Sequence, residues 1–366
     1  MVPKKLLQLF GLGKKKKKDD KKKGKSIDPL SQGAAPHSIL DILANNSHLD
    51  PCSSGAGTVL SLQKQEPECS SNISMMKEVH GSENEDSNSF NQFDVVQDYS
   101  DHQYAKTSPG ETTKEWAKII QNEWKLLQRD LPESIYVRVY EDRIDLMRAA
   151  IVGPAGTPYH DGLFFFDVHF PPDYPRCPPK VHYRSGGLRI NPNLYQTGKV
   201  CLSLLNTWVG SGSEKWGKSK STMLQVLVSI QGLVLNDKPY YNEPAIFIYR
   251  EKHSLAYNQT AFVLSCKTML YSLQEPPKHF ETIIVRHFHE REGAILEACG
   301  AYASGMIVGS SVRDGRKYAR NKCFERFKNS LDAHTELLAK ELAANRIRAL
   351  ELKGDAASTD EIVTTS

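Results

Sequence analysis

Residues 190–202 read INPNLYQTGKVCL, so an Asn-Pro-Asn tripeptide stands shortly before a cysteine in a segment rich in turn-forming residues. Proline, asparagine and glycine favour turns over helix or strand, so we expect Cys201 to lie in a long irregular loop. Large partner proteins can reach a thiol in such a loop, whereas most lone cysteines are small hydrophobic core residues. The context of Cys201 must decide between these two interpretations.

A proline-rich corner precedes this loop. Residues 159–164 read YHDGLF, residues 170–175 read FPPDYP, and residues 178–181 read PPKV. Prolines have fixed φ angles and lack N–H donors, so they suit an irregular crossing over a sheet edge better than a hydrogen-bonded ladder. The corner is therefore expected at the edge of a sheet.

Helix and strand patterns surround the two segments. Apolar residues from Trp116 to Leu127 recur at helical spacing, and Pro132 follows where a helix would stop. The predicted strands cover residues 135–140, 144–152, 163–170 and 180–183, and the predicted helices after them cover residues 219–235 and 251–273. This order is typical of an α+β domain with helices packed against an antiparallel sheet.

The order and spacing of these segments closely resemble the catalytic domain of ubiquitin-conjugating enzymes, the E2 family. That family has a Gly-x-Phe strand, a FPxxYPxxPP corner, an HPN tripeptide and a G-x-x-C-L thiol loop; here they correspond to residues 162–164, 170–179, 191–193 and 198–202. The likeness covers about residues 111–273, and four segments in the right order are much more specific than one. It implies the UBC fold, with a core domain at residues 111–275.

The resemblance implies that Cys201 is the nucleophile. It receives ubiquitin from an activating enzyme (E1) as a thioester, which a lysine of a substrate protein then attacks. Asn193 matches the family's amide-bearing asparagine. Its NH₂ group donates to the tetrahedral oxyanion or holds the thiol loop, the competing interpretation being a turn asparagine after proline. Asn191 stands where the family usually has a mainly architectural histidine, so this change bears on loop packing more than on chemistry.

A carboxylate near the thiol is also implied. An attacking lysine must be neutral, and its ordinary pKa is about 10.4, so an accepting carboxylate in a dry site would help. The Glu243-Pro244 step falls where many members have Asp-Pro. We therefore assign Glu243 to lysine activation, with a solvated loop carboxylate as the competing interpretation and Asp237 as a second candidate.

Residues 209–218 depart most from the family pattern. They contain Gly-Ser-Gly and Trp216, and they replace the short Ser-Pro-Ala loop that ordinarily meets RING-type ligases. Arg176 likewise stands where many members have an apolar ligase contact. The insertion resembles the large E2 branch that includes the plant phosphate-homeostasis E2 and the giant hybrid E2/E3 enzymes. We expect Trp208 and Trp216 to be apolar anchors on a flexible support, binding the acceptor protein or the charged ubiquitin.

The two ends of the chain differ in composition. Residues 26–108 are polar with no sustained apolar period, so residues 1–108 are predicted to be disordered, with residues 39–43 as a candidate for folding on a partner. Beyond Pro277, helices are predicted at residues 280–302 and from 314 to about 353, with Leu331, Leu337, Leu338 and Leu342 on one face. A helical extension thus covers residues 276–353, and residues 354–366 are a polar tail.

A basic run lies near the N-terminus. Eleven lysines between Lys4 and Lys25, against Asp19 and Asp20, give the first 25 residues a charge of +9. Because the whole chain carries +4, the other residues together carry −5. Because the positive charge is local, binding of nucleic acid by the rest of the chain is not indicated. The run from Lys14 to Lys25 fits a nuclear import signal, ranked first, or a contact with acidic lipid, or a solvated tail.

Several classes of protein are disfavoured. The seven cysteines form no CxxC pair, and neither a signal peptide nor an apolar stretch of roughly 18 to 20 residues is present. The nucleus or cytoplasm is therefore expected, with peripheral membrane association as the alternative. His279, His287 and His289 lie among charged residues, which favours a solvated helix face over a metal site. No metal and no cofactor are expected.

Two other functions compete with an active ubiquitin E2. E2-like scaffolds lack the thiol, whereas this chain has Cys201 in the thiol loop. Conjugation of a ubiquitin-like modifier stays open, and so does the need for a separate E3 ligase. Of the other cysteines, Cys266 is the one most expected in the core.

Overall fold

The computed structural model describes residues 91–243, 251–310, 317–318 and 321–363, with side chains described up to residue 352. The predictions for residues 1–90, including the basic run and residues 39–43, lie outside this part of the chain. The strands are β1 (Phe93–Val96), β2 (Ile135–Tyr140), β3 (Leu146–Val152), β4 (Leu163–His169) and β5 (Lys180–Tyr183). The helices are α1 (Lys114–Asp130), α2 (Met223–Ser229), α3 (Glu251–Gln274), α4 (Glu281–Ala303) and α5 (Lys322–Val363). None of the described helices is both long and apolar enough to cross a membrane.

The five strands form one sheet in the order β1-β2-β3-β4-β5. The four predicted strands are present and pair antiparallel, with Val137 opposite Ala149 and Ala149 opposite Phe166. Both faces of β3 and β4 are buried, so this sheet is covered on two sides. The α+β prediction is confirmed.

The prediction of disorder up to residue 108 is wrong for residues 91–108. Phe93–Val96 forms β1, which pairs parallel to β2, so the sheet is mixed and not purely antiparallel. The Gln92 side chain also donates to the carbonyl oxygens of Pro132 and Ile135. This strand has only four residues, and it forms because the exposed edge of β2 supplies hydrogen-bond partners that the local sequence does not reveal.

A charged cluster lies between the sheet and residues 98–103. Arg148 of β3 is fully buried, and its guanidinium bonds the carboxylates of Asp167, at 2.6 Å, and Asp101, at 2.8 Å. Arg184 donates to the backbone oxygen of Asp101, and the backbone N–H of Gln103 donates to Asp167. Buried charges need such partners, so this cluster attaches the N-terminal segment to the sheet.

Helix α1 is attached to the proline corner. Thr113 caps its first turn by accepting from the backbone N–H of Trp116, and the Trp116 indole donates to the carbonyl oxygen of Pro171 at 2.9 Å. The buried carboxylate of Glu123 accepts from the Tyr174 hydroxyl and from the backbone N–H of Met223. These bonds place the corner and the start of α2 against one helix.

The predicted C-terminal helices are present and pack into the core. α5 contacts both α3 and α4, with Leu331, Leu338 and Leu342 buried, but Leu337 is 56% exposed and does not share their face. α5 begins at Lys322, later than expected, and continues to Val363 through most of the predicted tail. Phe280, just before α4, packs edge-on against Phe165 of β4.

Two of the three histidines in this region contact backbone oxygens. Nε2 of His279 lies 2.7 Å from the backbone oxygen of Asp98, and Nε2 of His287 lies 2.8 Å from that of Asp161. A solvated helix face is therefore the wrong description for His287, which is half-buried where α4 meets the turn before β4.

Candidate thiol site around Cys201

The thiol loop follows β5 and contains little regular structure. Isolated bridges pair His182 with Lys199 and Leu194 with Val200, so the loop folds back on itself. Gly198 turns the chain with a φ of 84°, and a Cβ at this position would lie 2.0 Å from the His182 ring. Only glycine fits such a turn without strain. The irregular loop predicted for Cys201 is confirmed.

Asn193 is bonded to Cys201 through both backbone and side chain. The backbone N–H of Cys201 donates to the carbonyl oxygen of Asn193, and the Asn193 NH₂ group donates to the carbonyl oxygen of Cys201, both at 2.9 Å. The Asn193 side-chain oxygen is buried and has no hydrogen-bond partner among the described residues. In this state the amide supports the loop, and its NH₂ group is adjacent to the thiol residue.

Asn191 replaces the usual histidine as a buried connector. Its oxygen accepts from the backbone N–H of Asn193 at 2.8 Å. Its NH₂ group donates to the Tyr159 hydroxyl, at 2.9 Å, and to the carbonyl oxygen of Val234, at 2.7 Å. The asparagine thus ties the thiol loop to the end of the α2 segment and to the turn before β4. Loop packing is maintained by amide bonds in place of an imidazole.

The surroundings of Cys201 act on its thiol in opposite directions. The residue is only 1% exposed, which differs from the reachable thiol expected from the sequence. Burial raises the pKa of Cys201 above its usual range, and the charge of Lys199, hydrogen bonding from Tyr195 and the charge of Arg189 oppose that rise. The net pKa remains raised, so the resting group is a neutral thiol.

The two candidate carboxylates differ in position. Glu243 follows the short turn Pro239–Asn242 and lies close enough to Cys201 for its charge to raise the pKa of the thiol. Asp237 has an exposed side chain, and its backbone oxygen accepts from Asn258 of α3. Of the two, the geometry favours Glu243.

The insertion does not present Trp216 as a free anchor. The Trp216 indole donates to the carbonyl oxygen of Pro175 at 2.8 Å, and its ring packs on Tyr174. Val209 is instead the exposed apolar residue of the insertion, at 87%. The indole docks because its N–H finds a carbonyl that the proline corner leaves without a ladder partner. The expectation of a mobile tryptophan anchor at 216 is therefore wrong.

Three residues beside the thiol were not singled out from the sequence. They are Arg189, Tyr195 and Lys199, and the two cations lie over the Tyr195 ring at 4.4 and 5.7 Å from its centroid. Their proximity to Cys201 in the sequence was the available signal. Among the other cysteines, Cys266 is buried as expected and Cys177 is exposed.

Comparison with known proteins agrees with this geometry. The family model described as ubiquitin-conjugating enzyme matches residues 119–263. The chain is 56% identical over 231 residues to ubiquitin-conjugating enzyme E2 25 of Arabidopsis thaliana, covering 61% of this chain and 38% of that protein. It is 47% identical over 274 residues to E2 38 of the same plant, covering 72% of this chain and 84% of that protein.

A more distant relative has a second activity in its name. The dual E2 ubiquitin-conjugating enzyme/E3 ubiquitin-protein ligase BIRC6 of Homo sapiens is 38% identical over 240 residues, which are 62% of this chain and 5% of that protein. The chain spans 38% of E2 25 and 50% of E2 26, so it corresponds to part of these longer relatives. The match over most of E2 38 and the UBC fold around Cys201 show that the chain belongs to the ubiquitin-conjugating enzyme family.

Proposed function

We propose that this chain accepts ubiquitin from E1 as a thioester on Cys201 and transfers it to a lysine of a substrate protein. The single observation that supports this most is the pair of hydrogen bonds between Asn193 and Cys201, one from the backbone and one from the side chain, in the loop that the family uses for its thiol. It brings a neutral amide donor to the residue that would hold the thioester.

Loading is a transthiolation. The Cys201 thiol loses its proton, its sulfur attacks the thioester carbonyl carbon held by E1, and the E1 thiolate leaves and takes up that proton as the new C–S bond forms. The raised pKa of Cys201 means that proton removal is part of this step. Lys199 and Arg189 favour the anion that results.

Transfer to lysine breaks the C–S bond again. The amine nitrogen attacks the same carbonyl carbon, a tetrahedral oxyanion forms, and the Cys201 thiolate leaves as the amide bond is completed. Before the attack the lysine ammonium gives one proton to the carboxylate of Glu243, whose charge acts on Cys201, so that the amine is neutral. The proton that the nitrogen loses as the amide forms goes to the departing Cys201 thiolate. The Asn193 NH₂ group turns from the Cys201 carbonyl to the oxyanion, or holds the loop around it.

The decisive experiment is incubation of the full chain with E1, ATP and ubiquitin. The parent protein should form an adduct that dithiothreitol cleaves, Cys201→Ala should form none, and Cys201→Ser should form an adduct that resists the thiol. An adduct that persists in the alanine variant would move the thioester to another cysteine. An adduct with a ubiquitin-like modifier only would change the modifier and keep the chemistry.

Asn193→Ala separates the two steps. Because an oxyanion donor acts during transfer, the variant should load nearly normally and discharge onto free lysine about 100-fold to 1000-fold more slowly. Single-turnover discharge of the purified thioester measures this rate. Equal discharge rates in parent and variant would remove Asn193 from the mechanism.

We further propose that some transfer proceeds without a separate RING ligase, as the hybrid name of the BIRC6 relative suggests. The exposed Val209 would then contact the acceptor protein or the charged ubiquitin. Val209→Asp should spare thioester formation and reduce ligase-free transfer, with Val95→Asp on the exposed face of β1 as the matched control. Equal ligase-free transfer by both variants would exclude Val209 from this contact.

The location in the cell is proposed from the sequence alone. Lys14–Lys25 would direct the chain to the nucleus, with a cytoplasmic pool, and contact with acidic membrane is the alternative. Replacing the lysines of this run by glutamine in a fluorescent fusion should abolish nuclear accumulation. Loss of a membrane signal would support lipid contact, and an unchanged distribution would indicate a solvated tail. We propose no metal, cofactor or nucleic acid for the reaction.

A further inference from the structure

Arg189 is a partly buried arginine with unused hydrogen-bond donors. It lies in the segment between β5 and the thiol loop, and its Nε and Nη2 atoms are buried without a hydrogen-bond partner among the described residues. Unpaired buried donors destabilise a fold, and a buried cation without a carboxylate does so more. Such a group calls for a role that offsets the cost.

The guanidinium lies over the ring of Tyr195. Its central carbon lies 4.4 Å from the ring centroid, a distance typical of a stacked cation–π pair. Hydrogen bonding from Tyr195 in turn lowers the pKa of the Cys201 thiol, against the larger effect of burial. Arg189 therefore stacks on the tyrosine whose hydrogen bonding acts on the reactive thiol.

Few charged and titratable groups surround the sulfur within the described residues. Lys199 and Tyr195 come from the thiol loop, Arg189 from the segment before it and Glu243 from the turn after α2. Tyr257 of α3 faces both Arg189 and Glu243. The charges of Lys199 and Arg189 lower the pKa of Cys201, that of Glu243 raises it, and burial exceeds them all.

We propose that Arg189 is a positioning residue for the thiol: its stacked guanidinium orients the Tyr195 ring toward Cys201 and keeps a positive charge near the thiol. This role rests on the proposed thioester function. The planar guanidinium restricts the ring in a way that the flexible Lys199 side chain cannot, because a lysine ammonium is a mobile point charge.

The same arrangement serves both halves of the reaction. During loading the sulfur becomes negative before it attacks, and during transfer it becomes negative as it leaves. The positive charge of Arg189 stabilises the anion in each case, against the opposing charge of Glu243. The effect should therefore appear in the acidity of the free thiol, and also in both rate constants.

Alkylation of Cys201 by iodoacetamide tests this inference without ubiquitin. The alkylated fraction of the Cys201 peptide, measured by mass spectrometry over a pH series, gives the apparent pKa of this thiol among the seven cysteines. Arg189→Gln should raise that pKa by about one unit. Glu243→Gln should lower it, and Arg286→Gln, which removes an exposed arginine of α4, should leave it unchanged.

Arg189→Lys and Tyr195→Phe separate charge from stacking. Arg189→Lys should restore most of the thiol acidity but not the rate of discharge, because the charge returns and the planar stack does not. If Arg189 acts through the tyrosine, the effects of Arg189→Gln and Tyr195→Phe should combine to less than their sum. Additive effects would reduce the role to charge alone and overturn the positioning claim.

Two failures are distinguishable. An Arg189→Gln profile identical to that of the parent, in a protein with an unchanged urea midpoint, overturns the inference while the parent still forms its adduct. A parent protein that forms no adduct overturns the proposed function, even if the alkylation profile shifts as expected. If Arg189→Gln lowers the urea midpoint, Arg189→Lys is used in its place, and the inference then requires that Arg189→Lys keep most of the parental thiol acidity.

Discussion

The N-terminal segment (residues 91–108) and the C-terminal extension (residues 276–352) are both attached to the UBC core, but by different forces. The first is held by a short strand and buried charges, with Asp101 bonded to Arg148 and the Gln103 N–H bonded to Asp167. The second is held by apolar side chains such as Phe288 and Leu338, which are fully buried. A short polar segment can thus be attached to the core through a few hydrogen bonds and ion pairs, whereas two long helices are attached through apolar packing.

The difference has an energetic consequence. Apolar contacts are spread over many atoms, so losing one residue leaves the others in place. A buried ion pair depends on both partners, and removal of one leaves a charge without compensation. A single substitution should therefore be enough to detach the N-terminal segment, whereas the C-terminal extension should lose stability in proportion to the side-chain volume removed.

Removal of the N-terminal segment should have the largest effect. A chain that begins at residue 106 lacks β1 and Asp101, and it should be less stable by at least about 5 kcal/mol, because breaking a buried ion pair alone costs about 3 to 5 kcal/mol. Its matched control begins at residue 91 and differs only by residues 91–105. Urea denaturation of both gives the contribution of this segment, and equal midpoints would contradict its structural role.

Phe288→Ala should give the next largest effect. Phe288 of α4 is fully buried, and truncation of a buried phenylalanine costs about 3 to 5 kcal/mol through lost contacts and a cavity. The control is Leu337→Ala on α5, whose side chain is 56% exposed and should tolerate the change. A similar loss in both variants, measured by urea midpoint, would mean that the extension is not packed as described.

Asp101→Asn should have a smaller effect with a distinct signature. The amide keeps one acceptor but loses the charge opposite Arg148, which should cost about 1.5 to 3 kcal/mol. Asp130→Asn removes a carboxylate from the exposed pair with Arg129, and no measurable change is expected. If the two variants have the same unfolding midpoint, the charged cluster does not hold the N-terminal segment.

Acid should weaken both regions gradually. Burial lowers the pKa of His102 in the N-terminal segment and of His287 in the C-terminal extension. A histidine whose folded pKa is lowered stabilises the fold above its unfolded pKa, about 6.5, and this contribution is lost as pH falls below that value. The urea midpoint should therefore be lower at pH 5.5 than at pH 7.5, and this difference should be smaller in His102→Gln and His287→Gln. If the change in urea midpoint between the two pH values is the same in both variants as in the parent, the two histidines are not the cause of the acid effect.

The long helices and strands β2, β3 and β4 could be predicted because their apolar patterns are long. α4 and α5 repeat their pattern over several turns, and β4 is rich in aromatic residues. β1 has four residues within a polar stretch, and the pair that secures its neighbourhood joins Asp101 to Arg148, 47 positions away. No local pattern encodes a pairing between such distant residues.

The candidate site was predictable where residue type fixes the chemistry. A thiol at Cys201 and an amide at Asn193 are recognisable from the loop sequence alone, and the structure joins the two residues by a hydrogen bond. Arg189 and Tyr195 were not predicted, because their importance arises from how the loop folds back and brings the two side chains into stacking. The docking of Trp216 on Pro175 likewise depends on a tertiary hydrogen bond.

Lys278 bonds Asp98 across 180 positions, and the ring of His279 contacts the backbone oxygen of Asp98, so the N-terminal segment is bonded to the residues just before α4. The thiol loop lies inside the ring of chain that these contacts close. Opening from the N-terminus must then break these bonds first, and while they hold, the closed loop of chain limits how far the enclosed segments can separate. Amide hydrogens of β1 and of the first turn of α4 should accordingly exchange with solvent in a single kinetic class, as one cooperative unit.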